Sequence, residues 1–402
     1  MTEDGDEVSS IDRKDNQCNY IVPKKNRRCK MLTKTGKKFC GEHAIFDPAD
    51  DSRVVCPLDP RHTVAKEELE SHLDVKCNSR FVQKEHLNAN MNAVEGETGY
   101  MDKIDYRPNQ GELSIITDIL LNYENELNSA IQSTSTFNHV LPPIQRYLDE
   151  NPQLSGEKRK HLTQMNNIIV NMLSSPCALL QDEETLCICD LGAGKAQLTY
   201  WTAQCAPKVR YLNVDRMGMR NKWDNKAVKE RPELCFKRIR CSIEHLDLKK
   251  TPQLDGISRV VGICKHLCGS GTDAGVRCMM RLNENGVTSL GGLVLAPCCA
   301  HKTRYTEFLG IPFLSSLGVN SPGLFAALRH VASWGTCGLE EREEDGKWSS
   351  VWKTRMGRLA KAAIELARAK WIEKESGFEV KIIRYVDESV SPENLLIVAR
   401  PK

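Results

Sequence analysis

Apolar residues follow two periodicities along this chain. From 111 to 176 they recur at helical spacing, with Leu113, Ile116, Leu120, Leu127 and Ile131 on one face, and a second amphipathic stretch covers roughly 158–174. From Leu186 onward the texture changes to short continuous apolar runs separated by longer amphipathic segments. TLCICDLG, VRYLNVD, SRVVGICK and GGLVLAPC each have the solid apolar content of a parallel strand buried on both faces. GRLAKAAIELARAKWI predicts a late helix, FEVKIIRYV a strand and NLLIVARP a final strand. Strands alternating with helices predict an α/β domain over 177–402, built on a doubly wound, mostly parallel sheet.

On the N-terminal side this pattern fails. Residues 18–80 are dense in Cys and His and poor in periodic apolar positions. They divide into two compact modules, 18–46 and 53–80. Residues 1–17 are acidic and polar and are expected to form a disordered tail. Residues 81–110, polar with Gly, Asn and Pro, are expected to be a linker to the helical segment 111–176. No run of about 18 apolar residues is present, so no bilayer span is expected. The segment Met1–Asp15 lacks an apolar secretory signal, which predicts an intracellular protein of cytoplasm or nucleus. The seventeen cysteines then read as ligands or reduced thiols rather than disulfides. No obligate protein partner is evident.

The first module spaces Cys18, Cys29, Cys40 and His43 as C-x10-C-x10-C-x2-H. The second spaces Cys56, His62, His72 and Cys77 as C-x5-H-x9-H-x4-C. Each is a complete tetrahedral donor set for Zn2+ with no position left open, as in structural sites. Segments this short cannot fold on an apolar core, and a structural zinc supplies about 10–16 kcal/mol. Eight Lys or Arg and no acid lie between Cys18 and Cys40, among them Lys24, Lys25, Arg27 and Arg28. Cations on a zinc-pinned loop suit a phosphate backbone.

CICDLGAGKAQLTYW reads as strand, acid, tight G-x-G turn and helix, which brings backbone N–H groups to a ligand at a helix start. Asp190 precedes the turn formed by Gly192 and Gly194. Asp215 ends the next strand, at the distance where an acid meets a ribose diol. Asp247 follows a third strand-like segment, placed to accept from an adenine amino group. An acid before G-x-G repels a pyrophosphate and attracts a cationic amino-acid tail, which favours S-adenosylmethionine over NAD.

GICKHLCGSGTD and GGLVLAPCCAHK are the fourth and fifth strand ends of such a sheet. They deliver Lys265, His266 and Asp273, then Cys298, Cys299 and His301, to the carboxyl edge where doubly wound sheets bind ligands. An all-thiolate metal site of Cys264, Cys268, Cys298 and Cys299 is a rival reading. Cys264 lies within a strand, however, and adjacent Cys298 and Cys299 are expected to face opposite sides.

A basic CCCH module, a CHHC module, DLGAGK, KHLCG..TD and PCC.H, in this order, resemble the eukaryotic tRNA 2′-O-methyltransferases that act on nucleotide 4 of the acceptor stem. The resemblance extends over roughly 18–80 and 110–402. It implies a class I S-adenosylmethionine-dependent methyltransferase fold, S-adenosylmethionine as donor, two structural Zn2+ and tRNA as partner. Carried over, Asp190, Gly192, Gly194 and Asp215 hold the cofactor, and Lys265, His266, Asp273 and His301 line the reacting edge. Lys265, His266 and His301 are each able to act as base toward a ribose hydroxyl. The late helix, with Arg355, Arg358, Lys361, Arg368 and Lys370, is expected to help grip the stem. Ala196, Ala274-Gly275 and Ala300 depart from the family pattern. Rival functions are methylation of a protein or small molecule, and a non-catalytic role in RNA processing.

Overall fold

The computed structural model describes residues 16–23, 26–77, 80, 84–94, 99–133, 139–173, 184–217, 222–284, 287–335 and 348–402. The expected acidic tail up to Asp15, together with Lys24 and Lys25, lies outside these residues. The chain divides into two compact units, Met1–Gln83 and Lys84–Lys402. Among the described residues no helix is long and apolar enough to cross a membrane.

The larger unit is built on eight strands: β1 (Ile131–Ser133), β2 (Leu186–Leu191), β3 (Arg210–Val214), β4 (Phe236–Ile239), β5 (Arg259–Cys268), β6 (Ser289–Cys298), β7 (Glu379–Arg384) and β8 (Leu395–Arg400). Their order in space is β1-β7-β8-β6-β5-β2-β3-β4. All neighbours run parallel except β8, which is antiparallel to both β6 and β7. The doubly wound, mostly parallel sheet read from the sequence is therefore present. The chain moves outward from β2 through β3 to β4 and then returns to add β5 on the other side of β2. The order reverses between β2 and β5, the place where such sheets open a ligand crevice.

Both sheet faces are covered, which explains why the strands lack alternation. Cys187, Cys189 and Leu191 point into one core, with α1 (Gln110–Asn122), α4 (Ser270–Met280), α5 (Pro322–Ser333) and α6 (Ser350–Ser376). Leu186 and Ile188 point into the other, with α2 (Gly156–Leu173) and α3 (Gln197–Cys205). The helix ends are set by local chemistry. Asn109 and Glu112 form a capping box at the start of α1. Gly377, with φ of 69°, closes α6 in the left-handed conformation.

Three expectations change. Ile131, assigned to a helical stripe, lies in β1, where it pairs with Ile382 at the sheet edge. Helical spacing and a short edge strand both place one apolar residue here, and only pairing with β7 decides between them. The stretch expected to be a linker is docked on the larger unit where it is described, over 84–94 and 99–110. His86 and Asn88 exchange backbone bonds with Asp247 and His245, and Asn92 donates to the carbonyls of Ile243 and Leu246. Its polar composition satisfies buried backbone rather than solvent. Finally, α6 does not present all its cations outward. Lys361 and Arg368 are buried, while Arg355, Arg358 and Lys370 are paired with Glu124, Glu388 and Glu373.

Arg368 is the hub of a buried ionic network. It bonds Asp273 of α4 at 2.9 and 3.1 Å, Glu365 at 3.0 and 3.1 Å, and the Thr303 hydroxyl at 3.1 Å. Lys361 donates to the Pro297 carbonyl at 3.1 Å and meets Glu365 at 3.4 Å and Glu393 at 2.5 Å. Burial opposes the charge on Arg368, but Asp273 and Glu365 outweigh it and hold its pKa above the usual value. Replacing Arg368 by Met strands two buried carboxylates. We expect it to lower the unfolding free energy by about 3–5 kcal/mol in chemical denaturation. Lys370→Met, whose Glu373 partner is at the surface, is expected to leave the transition unchanged.

Candidate active site and zinc modules

In the smaller unit the cysteine–histidine sets close as spaced. Cys18, Cys29, Cys40 and His43 bring one ligand atom each within 4.8 Å of the others, as do Cys56, His62, His72 and Cys77. Hairpins hold the first ligands of each: Ile21–Val22 pairs with Arg27–Arg28, and Arg53–Cys56 pairs with Asp59–Ala65. Tyr20 stacks on His43 at 4.0 Å, fixing the imidazole plane. The thiols are buried and the donors mixed sulfur and nitrogen, which fits Zn2+. Arg27, Lys30, Lys34 and Lys38 remain exposed around the first set.

In the larger unit, the crevice between β2 and β5 holds two adjoining cavities that share Gly192 and His266. One, of about 270 Å³, is lined by Asp215, Arg216, Met217, Cys241, Ser242 and Leu267 among others. The other, of about 210 Å³, is lined by His161, Met165, Asp190, Gly194, Lys195 and Lys265 among others. The turn after β2 is built for close approach. Gly192 has φ of +76°, and a Cβ there would stand 3.0 Å from the Leu267 side chain. Both Gly192 and Ala193 donate to the Val214 carbonyl, and Asp215 accepts from Gly194 N at 2.7 Å. Asp215 therefore shapes the turn as well as facing the cavity.

The electrostatics of the second cavity come mainly from burial. Asp190, 2% exposed, has its carboxyl pushed up to about 7, because Arg238 and Lys265 only partly offset desolvation. Burial brings Lys265 down to about 8, against the opposing influence of Cys298 and Asp190. Burial, then Lys265 and His161, bring His266 down to about 4. Lys265 Nζ lies 2.5 Å from Nδ1 of His161, whose own pKa is lowered by burial and by Lys265. His266 adopts φ of 74°, a strained value for a side chain of its size, at the junction of the two cavities. The arrangement offers a neutral nitrogen base beside a carboxylate suited to a cation.

The other expected site residues are placed differently. Asp273 is fully buried and belongs to the Arg368 network. Asp247 is buried and accepts from Lys249 N, with Asn88 alongside at 3.5 Å, and it lines neither cavity, whereas Cys241, Ser242 and Ile243 line the larger of the two. His301 sits in the turn Ala300–Lys302 after β6 and lines neither cavity. His161 escaped the sequence reading. Its only trace was the i, i+4 relation to Met165 on a helix that is otherwise ordinary. A third cavity, of about 500 Å³, lies beside α6, but its cations are engaged: Arg355 with Glu124, and Arg358 and Arg384 with Glu388. Among the described residues it gathers no comparable base.

A family model described as Methyltransferase TRM13 matches residues 163–400. A model described as CCCH zinc finger in TRM13 protein matches residues 16–44, and a U11-48K-like CHHC zinc finger model matches residues 53–78. The mouse (Mus musculus) protein named tRNA:m(4)X modification enzyme TRM13 homolog is 29% identical, over 96% of this chain and 95% of its own. The Vanderwaltozyma polyspora tRNA:m(4)X modification enzyme TRM13 is 29% identical, over 96% of this chain and 98% of its own. Among solved structures, the plantazolicin methyltransferase BpumL in complex with SAH is 11% identical, with a TM-score of 0.32, and covers 72% of this chain and 100% of that one.

The donor set fits the S-adenosylmethionine expected from the resemblance, whose ammonium group would ionise Asp190. Binding of S-adenosylhomocysteine below pH 7 is therefore expected to release protons, and affinity is expected to fall about tenfold per pH unit there. Calorimetry in buffers of different ionisation heat reads both effects. Asp190→Asn should abolish the proton release.

Proposed function

The chain belongs to the TRM13 methyltransferase family, and from that premise we propose that it transfers the methyl of S-adenosylmethionine to the 2′-hydroxyl of nucleotide 4 in a tRNA acceptor stem. The observation that carries this reading is the 2.5 Å contact of Lys265 with His161, beside Asp190 at the β2–β5 crevice. The names of the relatives, tRNA:m(4)X modification enzymes, support tRNA as the acceptor.

When bound, the cofactor supplies an electrophilic sulfonium methyl. The chain's own groups then have three tasks. Asp190 holds the cationic end of the cofactor, and the Gly192–Gly194 turn with Asp215 receives the nucleoside. Lys265 accepts the proton of the attacking hydroxyl, a poor nucleophile at neutral pH without a base. His161, neutral because burial and Lys265 disfavour its charge, orients the amine through Nδ1. The remaining catalytic work is alignment of hydroxyl and methyl. A ribose rather than a base acceptor agrees with recognition of A-form RNA through its shallow minor groove.

The direct test is methyl transfer from labelled S-adenosylmethionine to unmodified tRNA transcripts, with the product mapped by resistance of one ribose linkage to alkaline cleavage. Protection after nucleotide 4 is expected. Label on a base, or at another position, would overturn the proposal. Lys265 must be neutral to act as base, so kcat/KM for tRNA at saturating cofactor should rise with pH up to about 8 and level off above it. A profile already flat above pH 6 would move the role to a histidine. Lys265→Ala should reduce kcat by about 10²–10⁴ with cofactor affinity retained. Removing Arg27, Lys30 and Lys34 together should weaken tRNA binding and lower its salt slope by roughly one unit for each phosphate that these cations engage.

A further inference from the structure

Where β5 and β6 end, three thiols converge that the cleft chemistry does not use. Cys268 Sγ and Cys298 Sγ stand 3.3 Å apart on residues that are register partners across the two strands. Cys299 Sγ joins them within 4.8 Å. Neighbours in an extended strand point to opposite faces, so Cys298 and Cys299 meet only because the chain is bent. Cys299 adopts φ of 53°, a left-handed conformation that costs a non-glycine residue roughly 1–3 kcal/mol. Gly269, with φ of +56°, follows Cys268, and a Cβ there would collide with the Lys302 carbonyl oxygen. Strained or glycine-only backbone thus flanks the thiols on both strand exits.

The spacing is that of an ion's coordination shell. Zn–S bonds of about 2.3 Å in a tetrahedron set sulfurs roughly 3.8 Å apart. In the CHHC module Cys56 and Cys77 Sγ lie 3.6 Å apart, close to the 3.3 Å of Cys268 and Cys298. Cys264 lies four residues earlier on β5, fully buried in the apolar core and outside the cluster. The four-thiolate set is thereby reduced to three, while the expected divergence of Cys298 and Cys299 does not occur.

We propose that Cys268, Cys298 and Cys299 form a third zinc site, a three-thiolate clamp that ties the ends of β5 and β6 together. The fourth position is taken by water. Cys268 is exposed and lines the 270 Å³ cavity, so the open side of the cluster faces solvent there. Three thiolates around Zn2+ leave one negative charge. The site does not depend on the identity of the methyl acceptor.

The test is elemental analysis of the full chain, purified under reducing conditions without chelator. Three zinc ions per chain are expected, against two if only the finger modules bind. Cys268→Ser should lose one of the three, as should Cys40→Ser, with the far-ultraviolet circular dichroism of the larger unit kept in both. Because a serine variant can also fail by misfolding, cobalt substitution of the unaltered chain gives a second reading. Its thiolate charge-transfer absorption should correspond to eight cobalt–sulfur bonds rather than the five of the finger modules. Two zinc ions per chain would overturn the proposal, as would a Cys268–Cys298 disulfide or freely alkylated thiols at these positions in the zinc-loaded protein.

Discussion

The buried ionic network around Arg368 is the constraint on which the rest of the larger unit depends. A guanidinium with 1% of its side chain exposed cannot be left without partners, and its two carboxylates lie on different elements, Asp273 on α4 and Glu365 on α6. Lys361, about two turns earlier on α6, extends the network to the Pro297 carbonyl of β6 and to Glu393. Glu393 in turn accepts from Cys299 N at 3.1 Å. The long helix is therefore bolted to the ends of the strands that border the crevice. Desolvating five ionised groups is costly, and the return is fixed geometry more than stability.

With the strand ends held, the character of the crevice follows from burial. A lysine, a carboxylate and two histidines share a space too dry to keep them all charged. Lys265 settles near 8, Asp190 near 7 and His266 near 4. Those values leave a base that is neutral in part of the population at physiological pH, beside an acid that is ionised in only part of it. Perturbed groups of this kind cluster at functional sites. The 500 Å³ cavity is larger but has its charges already paired, and size alone does not select it.

The fold was largely legible because its signals are local and redundant. Solid apolar runs such as Leu186–Leu191, each residue buried, mark parallel strands without reference to anything distant. The two clustered cysteine–histidine sets were equally open to reading, since metal geometry restricts donor type and spacing together. What the sequence concealed depends on contacts far along the chain. His161 reaches the crevice through its contact with Lys265, 104 residues later. Arg368 and Lys361 look like surface cations on an amphipathic helix until Asp273 and Glu393 are brought to them. Asp247 follows a strand at a plausible distance, yet its backbone N–H donates to His86 and its carboxylate accepts from Lys249 N, with Asn88 packed alongside. Cys299 faces its neighbour's side only because of a positive φ that no residue type announces.

The most direct measurement is a crystal structure of the chain with S-adenosylhomocysteine. The expected result is density in the two joined cavities, with the amino group on Asp190, the nucleoside against Asp215 and Leu267, and the sulfur turned toward Lys265. Density in the cavity beside α6, or an amino group remote from Asp190, would contradict the assignment of the β2–β5 crevice as the site of methyl transfer.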